Sequence, residues 1–104
     1  PLAAYLAWAI ANDSAAEPPG GGEPRQAIVA RYAAGFRKIL ARRERVMLVV
    51  AHSLPIAYVL MALAGHDPAP RVPLVEYAKP YVVTREDLDR AAARLEAWCA
   101  TPTW

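Results

Sequence analysis

The chain has 104 residues, enough for one small domain at most, and its 12 Lys and Arg against 10 Asp and Glu leave a formal charge of +2. That excess is too small to point to nucleic acid, and the cations read as a solvated helix face. One cysteine, Cys99, excludes an internal disulfide and fits a reducing compartment, so a cytoplasmic location is expected.

In chain order, "LAAYLAWAIAN" at 2–12 sets Leu2, Leu6 and Ile10 four apart, with Tyr5 and Ala9 beside them. That is helical spacing, reinforced by alanine. No basic segment precedes an apolar core there, so no secretory signal is expected. "DSAAEPPGGGEP", 13–24, is a loop of prolines and glycines; without a following Gly-Lys-Ser/Thr it is no phosphate-binding P-loop. "RQAIVARYAAGFRKILARRE", 25–44, places Ile28, Tyr32, Phe36 and Ile39 or Leu40 on one stripe. Arg31, Arg37, Lys38, Arg42 and Arg43 fall mostly off it, which predicts an amphipathic helix with cations toward its C-terminal end. Gly35 within that helix is a residue that permits close packing.

"VMLVVA", 46–51, is a continuous β-branched and apolar run whose length predicts a strand covered on both faces, as in a parallel sheet. "SLPIAYVLMALAG", 53–65, reads as a helix with Ser53 as N-cap, Pro55 in the first turn and Gly65 at its end. "HDPAPRVP" is a second loop. "LVEYAKPYVV", 74–83, reads as extended, with Pro80 confining it to a sheet edge or splitting it in two. In "TREDLDRAAARLEAWCA", 84–100, Thr84 and Asp87 pattern as a capping box, and Leu88, Ala91, Leu95 and Trp98 form the buried stripe of a last helix. The longest apolar candidate, 46–64, is broken by His52, Ser53 and Pro55, so no membrane span is expected.

Helix, helix, strand, helix, extended piece and helix predict an α/β fold: a partial three-layer α/β/α domain with a mainly parallel sheet. Residues 1–104 form a single partial domain in this reading, with N-terminal strands missing, because a doubly covered strand needs more neighbours than one edge-like partner. Self-association through the exposed sheet edge is then expected. A start at Pro1 fits either removal of an initiator methionine or a longer protein whose beginning is missing.

The His52–Ser53 junction carries the functional question, and three readings compete. In the first, Ser53 caps the helix and His52 is structural, as in a small non-catalytic α/β interaction or regulatory module. In the second, Ser53 is the nucleophile of a strand–turn–helix elbow, but Pro55 is a poor fit to the small residues such a turn needs. Its only later histidine, His66, is at the far end of the helix, about 20 Å away at 1.5 Å per residue. The third takes His52 at the C-terminal end of a strand, next to a helix N-terminus, as half of a phosphoryl site. An imidazole there donates hydrogen bonds to phosphoryl oxygens and, when protonated, balances their charge.

"ERVMLVVAHSLPIAYVLMALAGHDP", 44–68, resembles the second-histidine segment of the histidine phosphatase superfamily, the phosphoglycerate-mutase-like proteins. "PPGGGEPRQAIVARYAAGFRKIL" is similar to that family's Pro-Gly-Gly-Glu-Ser loop and following helix, and "VPLVEYAKPYVV" to its closing strand. Ser53 stands where the family usually has glycine, Ala57 where arginine is common, and Pro24 where serine follows the glutamate. The resemblance implies hydrolysis of a phosphomonoester, on a small molecule or a phosphoprotein, through a phosphohistidine and without metal or cofactor. It implies His52 as the second catalytic histidine, substrate contacts from the Ser53 and Leu54 N–H groups, and Glu23 near the substrate mouth. No Arg-His pair occurs in the chain, so the nucleophilic histidine of the family's Arg-His-Gly motif and the carboxylate proton donor are expected upstream of Pro1. The chain alone is then expected to be inactive.

Overall fold

The computed structural model describes residues 2–104. They form four helices, α1 (Leu2–Ala11), α2 (Arg25–Leu40), α3 (Ser53–Leu63) and α4 (Arg85–Ala100). The helical periodicities of the sequence are therefore realised. The predicted α/β architecture is not: among the described residues there is no strand, and so no parallel sheet, no three-layer arrangement and no sheet edge.

The physical reason lies in pairing. β-branched composition favours a pleated surface, but a strand exists only where its N–H and C=O groups meet those of a neighbour. "VMLVVA" and "LVEYAKPYVV" meet none among the described residues. Val46, Leu48 and Val50 are 90, 89 and 89% exposed, and Leu74 and Val82 are 96 and 98% exposed. What stands open to solvent is two apolar segments rather than a sheet edge.

Helix α4 is the shared wall of the core, with α2 and α3 both packed on it. Val29 and Ala33 from α2 and Tyr58 and Met61 from α3 close around Leu95 and Trp98 of α4. A smaller cluster joins Val59 and Ala62 of α3 to Ala91 of α4. The buried face of α2 is Arg25, Val29 and Ala33, with Tyr32 and Phe36 at its border. This face is turned by about one residue from the predicted Ile28–Tyr32–Phe36 stripe. Small Ala33 lies buried in the cluster with Leu95 and Trp98 of α4, and the bulkier Ile28 is only partly buried at the periphery.

The helix ends follow local chemistry. Thr84 caps α4, its hydroxyl accepting the Asp87 N–H at 3.0 Å. The Asp87 carboxylate turns instead to Arg90. At the end of α3, Gly65 takes the left-handed conformation at φ 87°. The Gly65 and His66 N–H groups donate back to Ala62 and Met61, at 3.0 and 2.9 Å, which satisfies two terminal carbonyls. Between α2 and α4, Arg37 bonds to Asp89 and Glu96 and holds the Glu96 carboxyl below the usual carboxylate range. The pair is exposed, so its contribution to stability is small.

Gly35 does not serve close packing. A Cβ placed on it meets no atom within 4 Å. Gly35→Ala is accordingly expected to raise the unfolding free energy by about 0.5–1 kcal/mol, through chain entropy alone. Urea denaturation followed by circular dichroism checks this, and a loss of stability would place an unseen neighbour against that helix face.

Candidate functional site

His52 is the residue before α3, with extended backbone at φ −79° and ψ 173°. Ser53 is already the first helical residue, and no side chain caps the helix. The expected Ser53 cap is thus corrected by one position: the extended backbone ends at His52. The first turn of a helix leaves its N–H groups without acceptors four residues back. Pro55, in that turn, has no N–H to leave. The N–H groups of Ser53 and Leu54 remain, directed out of the helix mouth at the positive end of its dipole.

Packing holds this turn in place while its tip stays open. Leu54 is half-buried against the main core cluster, and Pro55 is buried. His52 and Ser53 are exposed. An exposed histidine therefore directly precedes two free backbone donors, a sequence of groups that suits an oxyanion. Ala57, one turn further, is 1% exposed and turned into the core, so it adds nothing at the tip.

The other expected participants lie apart from this tip. Glu23 is exposed, and both its carboxylate oxygens accept from Arg31, Oε1 at 2.8 Å and Oε2 at 3.2 Å. Among the described residues no hydrogen bond or ion pair joins it to His52, Ser53 or Leu54. His66 lies past the opposite end of α3, beyond Gly65, so the serine-nucleophile reading has no base within reach. Cys99 is half-buried, and burial, with Glu96 nearby, pushes its thiol up, away from a reactive thiolate.

One cluster had no reading in the sequence. Arg25, the first residue of α2, is 6% exposed. Its Nη1 donates to the Tyr58 hydroxyl at 2.9 Å and to the Ala69 carbonyl at 3.3 Å. Nη2 donates to the Pro70 carbonyl at 3.4 Å, and Nε and Nη2 both reach the Tyr5 hydroxyl at 3.2 Å. The guanidinium also stacks on the rings of Tyr5 and Trp104, 5.4 and 5.2 Å from their centroids. Burial opposes its charge, but the Tyr58 and Tyr5 hydroxyls outweigh that effect and hold its pKa above the ordinary value. Burial likewise pushes the Tyr58 hydroxyl up, against the pull of Arg25. Trp104 secures α1 in turn, its Nε1 donating to the Ala9 and Asn12 carbonyls at 3.1 and 3.0 Å.

Among the described residues no helix is long and apolar enough to cross a membrane. No curated protein and no solved structure matches the chain. The sequence pattern of the histidine phosphatase superfamily (branch 1) does match, over residues 2–101. That span takes in the glycine loop, the His52 junction and all of the chain but its first residue and last three, so the chain belongs to the histidine phosphatase superfamily.

Proposed function

We propose that the chain supplies the phosphate-holding part of a histidine phosphatase, with His52 as the second active-site histidine. The exposed imidazole at the head of α3, within a chain matched by the family pattern from residue 2 to 101, supports this reading. In the proposed reaction a histidine upstream of Pro1 attacks the phosphorus of a phosphomonoester. The new N–P bond forms as the ester P–O bond breaks, and the departing oxygen takes a proton from a carboxyl group, also upstream. Water then attacks the phosphohistidine, the N–P bond breaks, and inorganic phosphate is released.

His52 acts on the three non-bridging oxygens in both steps. A ring N–H, with the Ser53 and Leu54 backbone N–H groups, meets the charge that these oxygens carry as the phosphoryl group transfers. Glu23 shapes substrate choice in this reading, once released from Arg31. A purely structural role for His52 fits less well, because a structural imidazole is buried against acceptors and this one is exposed.

The test is turnover. The purified 104-residue chain is expected to hydrolyse a generic aryl phosphate at no more than the background rate. A longer polypeptide carrying an upstream Arg-His-Gly segment is expected to turn it over. Turnover by the short chain that disappears in His52→Ala would place the nucleophile here and overturn the assignment.

A further inference from the structure

Arg25 is a buried cation with no carboxylate among its partners. Taking a guanidinium out of water without a counter-ion is costly, and it persists only where every N–H is satisfied. Here all five N–H groups are satisfied, by two tyrosine hydroxyls and two carbonyls drawn from α1, α3 and the loop after α3.

The location gives this clasp a consequence. Helices α2 and α3 each dock on α4, so their angle to one another is set by the side chains that span between them. The polar span is the Arg25–Tyr58 bond, with the Tyr32 and Tyr58 rings in contact at 6.3 Å between centroids. Tyr58 is fully buried and sits six residues after His52, about 9 Å along the helix. Arg25 in turn follows Glu23 and Pro24 directly, at the exit of the glycine loop.

We propose that Arg25 is a positioning residue for the phosphate site: through Tyr58 it fixes the pitch of α3, and with it the placement of His52 and the Ser53 and Leu54 N–H groups relative to the Glu23 loop. The inference rests on the reading of His52 as a phosphate holder. It assigns Arg25 no contact with substrate.

The experiment is a titration of the 15N-labelled chain with inorganic phosphate, following the His52 ring and the Ser53 and Leu54 amides, in wild type and four variants. Arg25→Met is expected to weaken phosphate binding about tenfold, and Tyr58→Phe, which removes one hydrogen bond, about threefold. Arg25→Lys, which keeps the charge but loses the fork, falls between wild type and Arg25→Met. Val29→Ala, a core deletion on the same helix, lowers stability but leaves phosphate affinity at the wild-type value. If Arg25→Met does not fold, Tyr58→Phe decides. Wild-type affinity in Tyr58→Phe and in every folded Arg25 variant overturns the positioning role while leaving the phosphate site standing. Equal weakening in Val29→Ala also overturns it, by showing that stability alone governs binding. Absence of any phosphate response in wild type removes the site itself, and the positioning role with it.

Discussion

Leu95→Ala is expected to lower the unfolding free energy by about 3–5 kcal/mol, the largest loss from any single aliphatic truncation in this chain. Leu95 is 1% exposed at the middle of α4 and lies in the cluster that holds Val29, Ala33, Tyr58 and Met61. Its removal opens a cavity between α4 and both helices packed on it, and neither helix can move in without leaving the other. A domain of this size has roughly 5–15 kcal/mol in total and, being small, sits toward the lower end. Leu95→Ala therefore takes most of the available stability, and its thermal transition by circular dichroism is expected to be broad or lost at 37 °C. Leu88→Ala is the control. Leu88 is only partly buried at the edge of the smaller cluster, and its truncation is expected to cost about 1 kcal/mol. Similar losses in the two variants would show that Leu95 is not at the centre of the core.

His52→Ala, in a polypeptide long enough to carry the nucleophile, is expected to lower kcat by about 10²–10³-fold, the effect of removing one donor aimed at developing charge. KM is expected to rise by less than kcat falls, because the ring holds the phosphoryl oxygens before transfer and more strongly as their charge is redistributed when the bond breaks. The magnitude follows from the geometry at the head of α3. Two backbone N–H groups remain when the ring is gone, so the site is weakened rather than abolished. Ser53→Gly, which restores the residue the family usually has there, is expected to leave kcat within about threefold of wild type, because the backbone N–H is the acting group. Steady-state kinetics on a single phosphomonoester separates these outcomes. A His52→Ala loss confined to KM would assign the ring to ground-state binding alone.

Much of the helical scaffold was legible because its signals are local. Thr84 and Asp87 mark the start of α4, Gly65 marks the end of α3, and Leu95 and Trp98 repeat at helical spacing. The strands were not, because pairing is not local. "VMLVVA" has strand composition, but nothing in those six residues says whether a neighbour exists. The buried face of α2 is hidden for a related reason: Val29 and Ala33 carry less apolar bulk than Ile28 and Tyr32, and only the position of α4 turns them inward.

The site divides along the same line. His52 is legible from the change of pattern at residue 52, while the sequence points to Ser53 as the cap because serine is the commoner capping residue. Arg25 was hidden. A cation at the first position of a helix, at the positive end of the dipole, reads as an exposed side chain, and only the fold brings Tyr5, Tyr58 and Trp104 around it. The one hint was its unfavourable placement there. Glu23 was legible as the end of the glycine loop, but its engagement by Arg31 depends on the turn into α2.

Phosphate titration of the wild-type chain tests the assignment at its root. Saturable shifts are expected at the His52 ring and at the Ser53 and Leu54 amides together, in the millimolar range, and a clearly weaker affinity at the two amides is expected in His52→Ala. Shifts centred instead on the arginines at 42–45, or a response at the α3 head that survives His52→Ala unchanged, would contradict a phosphate-holding imidazole at that helix.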